Sequence, residues 1–216
     1  MCSGRVDLEF VLRAFSNGQD GVLIVGCRLN ECNYATHGNY DALANTYICK
    51  DIMSRVGINP ERLAIEFMSG GEGGRLAEVI DAFTARIREL GPLGEPEGIE
   101  KGRLKQTLDA VRKLVPYLRL MEREKLRVPV KSEQAYREFF ESDEVNRVFD
   151  DMIGEKLTIS RIVSLLRIKP LSTAEISEAL DLSPSEVAKR MNSSSRQGLV
   201  RYDVDGNRYT LAVGGA

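Results

Sequence analysis

The sequence predicts an α/β fold: a small parallel-sheet domain, then a helical connector, then a domain of helices closed by a hairpin. Three observations carry this. Short apolar runs at residues 21–26 and 63–68 alternate with amphipathic helical stretches, as strands and crossover helices do in a parallel sheet. All four cysteines and 14 of the 19 glycines lie at or before residue 102, so the two ends of the chain are differently built. Residues 158–213 carry sharp start and stop signals for three helices and two strands.

The first helix is expected where Leu8, Val11, Leu12 and Phe15 share one face, stopping at Asn17-Gly18. The run from Gly21 to Gly26 is continuously apolar, as a buried parallel strand is. A helix over residues 39–56 carries Leu43, Tyr47, Ile48 and Ile52 and closes at Gly57 and Pro60. A second strand covers residues 63–68, followed by Ser69-Gly-Gly-Glu-Gly-Gly74 and a helix with the stripe Leu76, Val79, Ile80, Phe83 and Ile87. Two strands make a thin sheet, and a first strand is expected to be missing before Cys2. Residues 91–98 read as a linker, closing a first domain at residue 95.

The connector, residues 96–157, holds 13 basic and 13 acidic side chains and reads as solvated helices. Leu104, Leu108, Val111, Val115 and Leu118 form a heptad-like seam that Pro116 should kink or end. A further helical stretch begins at Ser132 and breaks near Ser142. In residues 158–216, Ile159, Ile162, Val163 and Leu166 make a helical stripe. Ser172 with Glu175, and Ser183 with Glu186, are capping boxes, and Pro184 sits at a first helical position. A hairpin around Asp205-Gly206 completes the pattern of a winged helix.

Composition excludes several classes. The 216 residues are 43% hydrophobic and 29% charged, which describes a globular chain with enough apolar mass for a core. The net charge of -2 argues against a chain-wide grip on nucleic acid. No apolar run approaches a membrane span and no secretion signal opens the chain, so the expectation is a cytoplasmic protein with reduced cysteines.

Cys27 and Cys32 follow the first strand, at the sheet edge where α/β sites usually form. Thiolates four residues apart can wrap one iron of an iron–sulfur cluster. Zinc would need four ligands, for which the lone histidine, His37, is a weak supplement. Reduced thiols without a metal are the alternative. The glycines of residues 69–74 follow neither dinucleotide nor P-loop patterns, and a tight turn accounts for them better than a phosphate cradle. No relay of nucleophile and base is visible. In the winged helix, Lys189, Arg190, Asn192 and Arg196 are candidate contacts to DNA or to a protein partner. Residues 158–213 hold 8 basic and 6 acidic side chains, a modest surplus for a phosphate-binding surface.

Met1-Cys-Ser-Gly-Arg-Val-Asp7, Phe10-Val-Leu-x-Ala-Phe15, Asp20-Gly-Val-Leu-Ile-x-Gly-Cys27, Glu31-Cys32-x-Tyr34, Gly38-Asn-Tyr-Asp-Ala42, Asn59-Pro-Glu-Arg-Leu63 and Glu89-Leu-Gly-Pro-Leu93 occur in this order. Together they resemble the iron–sulfur delta subunit of the methyl-viologen-reducing hydrogenase family, which partners heterodisulfide reductase. The resemblance runs from residue 1 to about residue 93. It implies an electron-transfer subunit with a [2Fe–2S] cluster. Such a subunit passes electrons from a hydrogenase, or a substitute dehydrogenase, to the A subunit of heterodisulfide reductase. Cys2, Cys27 and Cys32 match family cysteines and are the implied ligands; a fourth ligand is not identified, and Cys49 is expected to be a buried free thiol. Arg28 and Asn33 stand where family members commonly carry histidine. Because the chain opens inside the family's cysteine motif, the expectation is truncation at the N-terminus, with a reduced variant of the family as the alternative. The rival expectation is a redox-sensing winged-helix regulator of transcription, and a weaker one is a structural adaptor without a cluster.

Overall fold

The computed structural model describes residues 2–34, 38–150 and 154–212. His37 lies outside them. The chain divides into two compact units, Met1–Asn146 and Arg147–Ala216.

In the first unit, the N-terminal residues form a 3-10 turn, Ser3–Arg5, before α1 (Leu8–Ser16). Strand β1 (Val22–Gly26) pairs in parallel with β2 (Leu63–Phe67), Val22 opposite Leu63 and Gly26 opposite Phe67. The crossover between them carries α2 (Asn39–Arg55). Ile48, Cys49, Ile52 and Met53 of α2 are buried, as are Leu8, Leu12 and Phe15 of α1, while Leu43 is buried with Tyr40, Ala44 and Tyr136. The two-stranded parallel sheet is as thin as the sequence implies. Helix α3 (Gly73–Leu90) forms as expected, but none of its residues is buried; its stripe is only half covered, and Ile80 is exposed.

The seam of residues 104–118 is buried throughout, and it is divided as Pro116 dictates. Helix α4 (Lys101–Arg112) ends before it, and α5 (Val115–Glu124) begins with the proline in its first turn, where no amide donor is missed. Ser132 caps α6 (Glu133–Phe140), and the break at Ser142 leads into α7 (Asp143–Phe149).

One expectation changes. Residues 91–98 are not a free linker. Arg62, fully buried, pairs with Glu97 at 2.7 Å and donates to the carbonyls of Asp20, Leu90, Gly91 and Pro92. Leu93 is buried beside them, and its amide donates to Asp20. The two compact units meet between Asn146 and Arg147. The segment expected to be a solvated connector packs into the first unit as far as Asn146, because its apolar seam needs a surface to cover it.

The second unit comprises α8 (Glu155–Leu166), α9 (Thr173–Leu180), α10 (Pro184–Arg196), β3 (Val200–Asp203) and β4 (Arg208–Leu211). Both capping boxes are present, with Ser172 and Ser183 each accepting from the amide three residues on. Ile162, Ile176, Val187, Met191 and Val200 build one core. The antiparallel hairpin β3–β4 is anchored by a bridge from Leu171 to Tyr209.

Candidate thiol site

Three of the four cysteines converge at the C-terminal end of the parallel sheet. Cys27 follows the last residue of β1, Cys32 closes the next loop, and Cys2 precedes the 3-10 turn. Cys2 Sγ and Cys32 Sγ are 3.5 Å apart. Cys27 lies near enough to both for their charge to act on it. All three are half-buried and free, whereas Cys49 is fully buried in α2, and its thiol is pushed up to about 12 by burial and by the Asp7 charge.

The surroundings treat the sulfurs differently. The Tyr34 amide, aided by the Asn39 amide at the start of α2 and by the neighbouring thiols, lowers the Cys32 thiol against the opposing effect of burial. Burial and the proximity of Cys32 and Cys2 raise that of Cys27. The Gly4 amide donates to Cys2 Sγ at 3.4 Å. Asn39 Nδ2 reaches the carbonyls of Cys27 and Arg28 at 2.8 Å each and lies 3.7 Å from Cys27 Sγ. Backbone contact is close: a side chain on Gly38 would place its Cβ 2.6 Å from Cys32 Sγ, and one on Gly4 would strike the Gly38 carbonyl.

The segment that follows Cys2 is held by two arginines. Here Arg119 grips Asp7 through two hydrogen bonds, 2.9 and 2.7 Å, and Arg112 pairs with Glu9 at 2.7 Å. The loop between Cys27 and Cys32 is held in the same way. Tyr40 Oη lies 3.0 Å from Asn30 Oδ1 and 2.9 Å from the Lys131 carbonyl. Tyr40 packs on Tyr136, and Phe140 stacks on Tyr47. Helices outside the N-terminal motifs thus support the thiol loop. The sequence hid this, since the partners are about a hundred residues apart.

An open cleft of about 360 Å³ adjoins the thiols, lined by Cys2, Ser3, Gly26, Cys27 and the glycine turn around Ser69, Gly70 and Gly73. The turn does not present a free phosphate cradle. Glu72 accepts from the Ser69 amide at 2.5 Å and pairs with Arg28 at 2.6 Å, so a carboxylate already occupies the anion position. Arg28, which stands where histidine was expected, is thereby turned to Glu72 rather than to the sulfurs. Among the described residues no three His, Cys, Asp or Glu side chains form a ready seat for a single metal ion.

The second unit has its own groove, lined by Glu155, Lys189, Asn192, Ser193, Arg196 and Gln197. Three of the four expected contact residues therefore share one face. Arg190 does not join them; it is ion-paired with Glu155 at 3.4 Å.

Residues 1–91 match the family described as methyl-viologen-reducing hydrogenase, delta subunit. Over 91 residues the chain is 47% identical to the iron-sulfur D subunit of an F420-non-reducing hydrogenase from Archaeoglobus profundus, covering 42% of this chain and 66% of that one. It is 40% identical over 91 residues to the corresponding vhu iron-sulfur D subunit from Methanococcus maripaludis, covering 42% of this chain and 67% of the relative. It is also 45% identical over 94 residues to the A subunit of a ferredoxin/F420H2-dependent CoB-CoM heterodisulfide reductase from Methanosarcina acetivorans, covering 44% of this chain. The chain spans about two thirds of the D subunits but 12% of that A subunit. What these matches define is a segment shared by hydrogenase D subunits and a heterodisulfide reductase A subunit. The chain belongs to the methyl-viologen-reducing hydrogenase delta-subunit family. No helix among the described residues is long and apolar enough to cross a membrane.

Proposed function

We propose that this chain carries a [2Fe–2S] cluster on Cys2, Cys27 and Cys32, and that it passes electrons from a hydrogenase or substitute dehydrogenase to the A subunit of a heterodisulfide reductase. The observation that supports it best is the convergence of three thiols from two separate chain segments, with amide donors aimed at their sulfurs. The donor set suits a sulfur-ligated iron group at three corners and leaves the fourth ligand to come from elsewhere. Such a group supplies one-electron chemistry at the surface of the domain. The chain's own residues do the rest. Gly4, Tyr34 and Asn39 amides stabilise negative charge on sulfur, Asn39 and Tyr40 fix the loop, and Arg112 and Arg119 fix the Cys2 segment. No acid, base or nucleophile is required.

The resemblance implies that this A subunit contains flavin, so the test is anaerobic stopped-flow mixing of the reduced chain with it. Flavin reduction that depends on the chain supports the reading, and a flavin spectrum that stays oxidised contradicts it.

A second reading concerns residues 154–212. We infer a winged helix whose α10 face meets nucleic acid, because Lys189, Asn192, Ser193, Arg196 and Gln197 line one groove. Fluorescence anisotropy with duplex DNA tests it. Saturable binding lost in Lys189→Ala/Arg196→Ala supports contact through this face; binding that also follows cysteine oxidation would favour a redox-sensing regulator. Unaltered anisotropy removes the reading.

A further inference from the structure

Beside the thiols one buried polar side-chain atom has no hydrogen-bond partner among the described residues. It is Ser3 Oγ, which is shielded from solvent. Its place is strictly built. A Cβ on Gly26 would fall 2.6 Å from Ser3 Oγ and 3.3 Å from the Phe67 ring, so the glycine just before Cys27 leaves the room in which the serine sits. Ser3 also follows Cys2 directly and, with Cys2, Gly26 and Cys27, lines the cleft at the sheet's end. A hydroxyl withdrawn from water is costly when it lacks an acceptor, and thiolate or sulfide sulfur is an acceptor of the right kind.

Given the reading that these thiols hold an iron–sulfur group, we infer that the Ser3 hydroxyl donates a hydrogen bond to one of its sulfurs and so raises its reduction potential. The reason is electrostatic. One-electron reduction adds negative charge to the group, a donor at sulfur stabilises that charge, and no bond of Ser3 forms or breaks. Ser3 is therefore a tuning residue that the cysteine spacing does not reveal.

The experiment is a mediated potentiometric titration of the full chain with dithionite as electron donor, followed by EPR, for wild type, Ser3→Ala and Ser3→Thr. Iron and sulfide contents and visible spectra should match in all three. The Ala variant should be harder to reduce by about tenfold in the equilibrium constant, about 59 mV more negative for one electron. The Thr variant, which keeps the hydroxyl, should stay near the wild type. An unchanged potential in Ser3→Ala overturns the inference. So does failure of the Ala variant to take up iron, with or without the Thr variant, because Ser3 would then serve assembly rather than tuning. A wild-type chain without iron refutes the underlying reading instead, so the two failures are distinguishable.

Discussion

Replacing Glu97 by Gln removes one charge from the interior of the first unit and leaves the Arg62 guanidinium behind. The Glu97 carboxylate accepts from Arg62 Nε at 2.7 Å and Nη2 at 3.2 Å, from the Gly94 amide at 2.9 Å and from the Asn59 amide at 3.3 Å. All four partners are donors. Glutamine offers one acceptor oxygen and turns an NH2 group toward the remaining donors, so two of the four contacts become repulsive. Arg62 is fully buried and Glu97 is 7% exposed, so water cannot step in. Breaking a buried pair from one side typically costs about 3–5 kcal/mol, and the loss of acceptors here places the cost near 4. At about 2–4 °C per kcal/mol for a domain of this size, the first unit's melting transition should fall by about 12 °C. Differential scanning calorimetry checks this, since only that unit's transition should move. A drop below about 3 °C would mean that the pair is not buried in solution and would refute the reasoning. Replacing both residues by methionine should not restore stability, because Arg62 also serves four carbonyl oxygens that methionine cannot reach.

Other expectations follow from the same geometry. Burial would raise the Glu97 carboxyl, but Arg62 and the two amides outweigh it and hold it below 4.5. Its contribution is therefore complete above pH 4.5 and lost as the pH falls through the lower folded value; acid titration of stability should flatten in Glu97→Gln. Gly38→Ala should disturb the Cys32 sulfur and lower iron uptake several-fold while leaving the far-UV spectrum intact, as measured by iron content and circular dichroism. Arg119→Ala should cost at most about 1 kcal/mol, since the pair is largely exposed, yet speed amide exchange across residues 4–10. Cys49 should resist alkylation in the folded protein and react only on unfolding, which mass spectrometry of trapped thiols will show.

What the sequence made legible was local. Strand β1 between its glycines, the break at Pro116 and the capping boxes of Ser172 and Ser183 each depend on residues a few positions apart. The misread parts depended on distant partners. Arg112 and Arg119 look like solvated charge, but they hold Glu9 and Asp7 on a segment about a hundred residues earlier. Residues 91–98 have a linker's composition and are pinned by Arg62. The stripe on α3 has the period of a core helix, yet no residue of it is buried, since periodicity gives a face but not what covers it. In the site, the cysteine spacing found Cys27 and Cys32 and the family motif added Cys2. Ser3 and Asn39 escaped notice because a hydroxyl or amide gains its role only from the atoms packed round it.

Under the proposed function, Cys2, Cys27 and Cys32 together hold an iron–sulfur group. The most direct test is anaerobic reconstitution of the full chain and its three single Cys→Ser variants, with iron and sulfide analysis and EPR after reduction. With an added thiol to fill the fourth position, two irons and two sulfides per chain are expected, with an EPR signal of a reduced [2Fe–2S] centre that is lost or clearly altered in each of the three variants but not in Cys49→Ser. A reconstituted wild type without iron, or a signal indifferent to Cys2, Cys27 and Cys32, would contradict it.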